Sequence, residues 1–116
     1  MKPVTTETEI LEAREAIKGV HLSPEVARYA ASIVAATRNH SDLRLGASPR
    51  GTLALARGSQ GFAFLHGRKF VTPDIVKVMA GPILEHRLIV RPQAAAMGQT
   101  ASNILKDILN QVPPPV

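Results

Sequence analysis

Between Arg44 and Arg57 the chain reads Arg-Leu-Gly-Ala-Ser-Pro-Arg-Gly-Thr-Leu-Ala-Leu-Ala-Arg. The residues in this stretch that can do chemistry are Arg44, Ser48 and Arg50, and the chemistry is recognition of an anion. Ser48-Pro49 reads as a helix start. The serine caps with its hydroxyl, and a proline at the first helical position gives up an N–H that has no partner there anyway. Gly46 loosens the backbone of the loop leading in. Arg50 then falls in the first turn, and local chemistry leaves it two readings. It is a side chain pointing into water, where a cation at a helix N-terminus costs roughly 0.3–1 kcal/mol. Or it is a planar guanidinium set beside unpaired N–H groups to hold a phosphate.

Elsewhere the sequence lacks the patterns of an enzyme. It has no Gly-x-x-x-x-Gly-Lys-Ser/Thr, so no phosphate-cradling P-loop, and no apolar run that ends in Asp-Glu to hold magnesium. His21, His40, His66 and His86 have no i, i+4 partner, and there is no cysteine, so no metal site is expected. Asp42 and Asp74 read as a loop acid and a first-turn helix acid rather than a catalytic pair. Ser48 has no evident base. The chain is not expected to be catalytic by itself.

At 116 residues, with 45% apolar and only 3% aromatic residues, the chain fits one domain whose core is built from Ala, Val, Ile and Leu. The net charge of +5 is unevenly spread. Arg38, Arg44, Arg50, Arg57, Arg68 and Lys69 face a single acid, Asp42, whereas Glu7, Glu9, Glu12 and Glu15 crowd the N-terminal end. The middle of the chain is therefore a surface for nucleotide, nucleic acid or an acidic partner, or simply a solvated basic face. A small basic nucleic-acid-binding module fits this footprint. Against it, the arginines alternate with apolar residues, and one Tyr and three Phe make no stacking platform for single strands. A helical protein-interaction domain without ligands is the remaining alternative. The longest nearly apolar run, Ala30 to Ala36, is too short to span a bilayer, and the N-terminus has no secretory h-region. A cytoplasmic setting is expected.

The elements that must position Arg50 follow from periodicity and caps. Residues 1–6 read as a linker, with Thr6 opening a helix over 7–18 whose apolar stripe (Ile10, Leu11, Ala13, Ile17) is thin. Ser23-Pro24-Glu25 starts a second helix to about Arg38 or Asn39, with Val26, Tyr29, Ala30, Ile33, Val34 and Thr37 on one face. A central helix runs from Pro49 to about His66, and Gly58 and Gly61 inside it signal close approach of another helix or a weak point. Thr72-Pro73-Asp74 opens a fourth helix with Ile75, Val76, Met79, Ala80 and Ile83 inward, disturbed by Gly81-Pro82 near its end. Extended pieces at 69–71 and 88–90 are expected to pair as a small ribbon. Residues 94–98 offer one helical turn. Thr100 caps a last helix carrying Ile104, Leu105, Ile108, Leu109 and Val112, and a proline-rich tail occupies 113–116. The fold class is mainly all-α: four to five helices over 7–112, with a short two-stranded ribbon.

The run Arg44-Leu45-Gly46-Ala47-Ser48-Pro49-Arg50-Gly51 resembles the signature of the C-terminal lid of the MoxR family of AAA+ ATPases. Features around it keep the family's order over about residues 20–113: Ala36-Thr37-Arg38, Gly67-Arg68, Phe70-Val71-Thr72-Pro73-Asp74, Pro82, His86-Arg87-Leu88-Ile89 and Ile104-Leu105 to Val112-Pro113. The magnesium chelatase subunits have a similar lid. The resemblance implies a helical lid packing over ATP and Mg2+ held by a P-loop domain that this chain lacks, neither binding tightly to the lid alone. It implies that Arg50 is the sensor-2 arginine, with Arg44 and Ser48 as further nucleotide contacts. The missing P-loop leaves two readings, a C-terminal piece of a chaperone or assembly ATPase, which is the one expected, or a natural standalone lid. The ATPase would work as a ring hexamer with neighbouring protomers, beside a von Willebrand factor A domain protein, with no specific nucleic acid and no membrane insertion.

Overall fold

The structure, a computed structural model, describes residues 7–115. The linker at 1–6, the Thr6 cap, the side chains of Glu7 and Ile10 and the final residue of the tail lie outside the described part. The elements are α1 (Glu7–Lys18), α2 (Pro24–Asn39), β1 (Leu43–Leu45), α3 (Pro49–Leu65), α4 (Pro73–Leu84), a 3-10 turn (Glu85–Arg87), β2 (Ile89–Val90), α5 (Pro92–Ala96) and α6 (Ala101–Gln111). The mainly all-α expectation holds, with α5 as the single turn foreseen near residues 94–98.

Three helices start as their local chemistry dictates. The hydroxyls of Ser23, Thr72 and Thr100 accept the N–H groups of Val26, Ile75 and Asn103 at 3.2, 3.3 and 3.1 Å. Each bond satisfies one of the donors that a helix leaves unpaired at its first turn. All six residues of the foreseen α2 face, Val26 to Thr37, are buried. They meet Leu55 and Ala63 of α3, Val76, Ala80 and Leu84 of α4, and Ile104, Leu105 and Ile108 of α6 in one core without a phenylalanine among its fully buried members.

The glycines set how closely the helices approach. A Cβ on Gly58 would collide with the terminal methyl of Ile83, so this glycine lets that side chain of α4 rest directly on α3. Gly61, by contrast, has nothing within 4 Å of a built Cβ, so close packing does not explain it. Pro82 does not end α4, which runs on to Leu84 before tightening into the 3-10 turn. The proline removes the N–H that would have reached the carbonyl of Val78. Val78 is exposed, so water can satisfy that carbonyl.

The ribbon forms with a different partner from the one expected. β2 pairs antiparallel with β1, Leu43 opposite Val90 and Leu45 opposite Ile89, with an irregular register between them. The pairing is extended by Arg91, whose N–H donates to the Asp42 carbonyl at 2.8 Å. The segment at 69–71 is taken by the chain just after α1. The His21 N–H donates to the Lys69 carbonyl, and the Val71 N–H to the His21 carbonyl, both at 2.9 Å. Once those backbone groups are used, 69–71 has none left for 88–90 on that edge.

The thin stripe of α1 lies along α3, with Ile17 half-buried and Leu11 exposed. The chain is anchored just beyond its end, where Val20 is buried and its carbonyl accepts the buried Gln60 side-chain N–H at 3.0 Å.

Candidate functional site

The junction between β1 and α3 is held from beneath by the last turn of α2. Thr37, fully buried, donates its hydroxyl to the Val34 carbonyl at 2.6 Å and accepts the Ala47 N–H at 2.9 Å. A threonine on the apolar face of a helix thus spends its polar atom on the loop that leads into α3. Gly46 lies against the same turn, and a Cβ there would sit 2.5 Å from the Thr37 carbonyl oxygen. Its role is therefore close approach, not loosening of the backbone. The backbone from 46 to 48 is pinned, and only side chains are left to project.

Those side chains are Arg44 on β1, Ser48 at the cap position of α3 and Arg50 in its first turn, and all three are exposed. They lie within seven residues of the chain, on either side of the turn that enters α3. Among the described residues, neither arginine has a carboxylate partner, and the first turn of α3 contains no acid. The site is thus positive from two sources, guanidinium groups and a helix N-terminus.

Ser48 departs from the capping expected of it. Its backbone is extended as a cap residue requires, at φ −77° and ψ 171°, yet its hydroxyl makes no cap hydrogen bond. The first turn closes instead on the main chain, with the Gly51 N–H donating to the Ser48 carbonyl at 2.7 Å. The hydroxyl is left uncommitted beside Arg50.

Exposed apolar side chains flank this positive ground. Leu45 and Ile89 face each other across the ribbon at 54% and 47% exposure, and Leu53 stands 59% exposed one turn beyond Arg50. No group of three or more His, Cys, Asp or Glu side chains is gathered among the described residues. The donors available therefore suit an anion rather than a cation.

Comparison with known proteins fixes the family. Residues 35–108 match the family model described as AAA lid domain. The chain belongs to the AAA lid domain family. It is 33% identical over its whole length to YeaC, an uncharacterised protein of Bacillus subtilis, covering 36% of that protein. It is 32% identical over 87 residues to the protein MoxR of Paracoccus denitrificans, a match spanning 64% of this chain and 26% of the relative. A crystal structure from Cytophaga hutchinsonii, described as that of a "putative ATPase", superposes with a TM-score of 0.92 at 30% identity. That match covers 99% of this chain and 38% of the other. This is a MoxR-type AAA+ lid domain, and it spans little more than a third of the relatives it resembles over its full length. Among the described residues, no helix of the lid is long and apolar enough to cross a membrane.

Proposed function

We propose that this lid closes over ATP held by a P-loop domain elsewhere in a longer protein, with Arg50 as the sensor-2 arginine. The observation that carries the reading is the state of the α3 N-terminus. Arg50 is exposed and has no carboxylate partner among the described residues, next to a serine hydroxyl that does not cap its own helix. A cation at this end slightly opposes the helix, so a partner of opposite charge removes the cost and gains a charge-assisted contact. Arg44 and Ser48 are the further groups offered to the phosphates. ATP would supply the phosphoryl group, and the lid residues orient it and spread its charge. Mg2+ would be held with the P-loop domain.

In the same reading, the exposed Leu45, Ile89 and Leu53 are covered by that P-loop domain or by a neighbouring protomer of a ring hexamer. Hydrolysis is coupled to chaperone or complex-assembly work in the cytoplasm, beside a von Willebrand factor A domain protein. Support for these wider attributes comes from the MoxR likeness.

The test is turnover by the intact protein with Arg50→Ala, against Lys106→Ala as an exposed cation on α6. A charge-assisted contact is worth roughly 1.5–3 kcal/mol, so Arg50→Ala lowers nucleotide affinity, rate or both by about ten- to a hundredfold. Lys106→Ala keeps wild-type kinetics. Wild-type turnover and affinity in Arg50→Ala would sink the sensor assignment.

A further inference from the structure

Away from the α3 N-terminus, α1 and α3 enclose an open cleft of about 480 Å³ lined by Arg14, Ile17, Lys18, Arg57 and Gly61. Three of its five lining residues are cations and none is an acid. Glu15 reaches Lys18 at 3.4 Å with both side chains exposed, which partly neutralises that ammonium. Arg14 and Arg57 have no carboxylate partner among the described residues. Gly61 forms part of the cleft wall, and a Cβ there would meet nothing within 4 Å. A glycine inside a helix costs up to about 1 kcal/mol against alanine, and no packing need explains this one.

We propose that this cleft is a docking site for an acidic peptide segment carrying an apolar side chain between two carboxylates. Arg14 and Lys18 are one helical turn apart on α1, about 6 Å along the axis, with half-buried Ile17 between them and Arg57 on the opposite wall. Carboxylates one turn apart on a helix match that spacing, and an apolar residue three positions after the first carboxylate shares their face. The side chain between them then rests on Ile17 and on the aliphatic stems of the arginines and the lysine. A phosphodiester strand suits the site less well. It gains most from a track of cations and from rings on which bases stack, and no aromatic residue lines the cleft. Arg57 lies two turns along α3 from Arg50, roughly 10 Å. The docking site is therefore separate from the proposed nucleotide contact and does not rest on it.

The experiment titrates a short peptide, two glutamates one turn apart flanking a leucine, into the labelled 116-residue chain. Amide shifts are followed alongside two comparison probes, the same peptide with lysines for glutamates and a single-stranded oligonucleotide. The acidic peptide is expected to shift Ile17, Lys18 and Gly61, with affinity falling as salt rises. Arg14→Glu and Arg57→Glu each weaken it by roughly three- to tenfold or more, as loss of an exposed ion pair and its replacement by repulsion require. Both side chains are exposed, and thermal melts check that the variants stay folded. Gly61→Leu keeps every charge but fills the cleft, and it too abolishes the shifts. The proposal is overturned if the lysine peptide binds as well, if the shifts fall elsewhere, or if the three variants bind like the wild type. An oligonucleotide that binds the same residues more tightly than the peptide would make the cleft a nucleic-acid contact instead.

Discussion

The Thr37 hydroxyl and the Ala47 N–H, ten residues apart, are joined by a 2.9 Å hydrogen bond inside the core. That one bond ties the end of α2 to the entry of α3, and Arg50 stands three residues beyond it. The position of the candidate anion contact is thus set by a buried threonine that never touches the surface.

Replacing Thr37 by valine keeps the shape and removes the acceptor, leaving the buried Ala47 N–H unpaired. An orphaned buried donor costs about 1–3 kcal/mol, and a denaturant melt of Thr37→Val is expected to show a loss in that range. Thr37→Ser, which keeps the hydroxyl, loses less. Amide exchange at Ala47 separates the two mechanisms, since it accelerates in the valine variant beyond what the global loss explains.

Gly46 and Gly61 make a matched pair of opposite sign. Gly46→Ala places a methyl 2.5 Å from the Thr37 carbonyl oxygen, and a backbone atom within α2 cannot yield cheaply. Destabilisation of at least about 1–3 kcal/mol is expected, as for other overpacked core positions. Gly61→Ala enters open space within α3 and gains helix propensity, so it stabilises by up to about 1 kcal/mol. Thermal melts of both variants, run side by side, test the two claims together.

Tyr29 is buried, its hydroxyl has no hydrogen-bond partner among the described residues, and it belongs to the α2 core face. Burial first, and the Asp74 carboxylate second, hold its ionisation above the ordinary 10.0. With the folded value raised, the unfolded chain releases the proton first. The contribution is then fully present below pH 10 and is lost as pH climbs above it. Tyr29→Phe removes the unpaired hydroxyl and is expected to raise stability at neutral pH, by up to roughly 1–3 kcal/mol. The advantage of the phenylalanine variant widens above pH 10. A stability difference that stays flat through the alkaline range would contradict the assignment.

The isolated lid is expected to bind MgATP weakly and to turn none over. Arg44 and Arg50 alone leave most of the triphosphate charge unmatched, so saturable binding appears only well above low micromolar concentration. Titration of MgATP into labelled chain checks it, and the amides of 48–51 are those expected to move first. Tight binding or turnover by pure chain would contradict both the lid reading and the role given to the P-loop domain.

Helix starts were the most legible part of the fold. Ser23-Pro24, Thr72-Pro73 and Thr100 carry their signal within four residues, and the capping bonds form as local chemistry dictates. The buried face of α2 was equally plain, because a 3.6-residue period needs no knowledge of the partner. The partner of β2 was not legible. Leu43-Arg44-Leu45 is three residues long with one buried position, and its pairing depends on contacts fifty residues away, such as Arg91 with Asp42 and Ser41. Gly46 was misread for a related reason. Its constraint comes from the Thr37 backbone, which the sequence around it cannot reveal. The Arg44-to-Gly51 run carried the candidate site from the outset, whereas the Arg14–Arg57 cleft joins residues from separate helices and emerged only from their packing.

Among the described residues, four helices have a serine or threonine at the cap position, and the structure divides them three to one. Ser23, Thr72 and Thr100 each accept a backbone N–H, and truncating any of them to alanine is expected to cost about 0.5–2 kcal/mol. The Ser48 hydroxyl accepts none, and its helix closes on the Gly51 N–H through the Ser48 carbonyl. Ser48→Ala keeps that carbonyl, so it is expected to change stability by no more than about 0.5 kcal/mol, as an ordinary surface substitution does. Melts of the four alanine variants of the chain therefore separate one silent cap from three working ones. The same Ser48→Ala change, carried into the intact protein, addresses function independently of folding. If the free hydroxyl is kept for phosphate, the nucleotide loses one hydrogen bond to a charged group, roughly 1.5–3 kcal/mol, and affinity or turnover falls about ten- to a hundredfold. A Ser48→Ala protein that loses stability like its three counterparts would show that the hydroxyl caps α3 in solution. A variant silent in both melts and kinetics would remove Ser48 from the site and leave Arg44 and Arg50 to carry it.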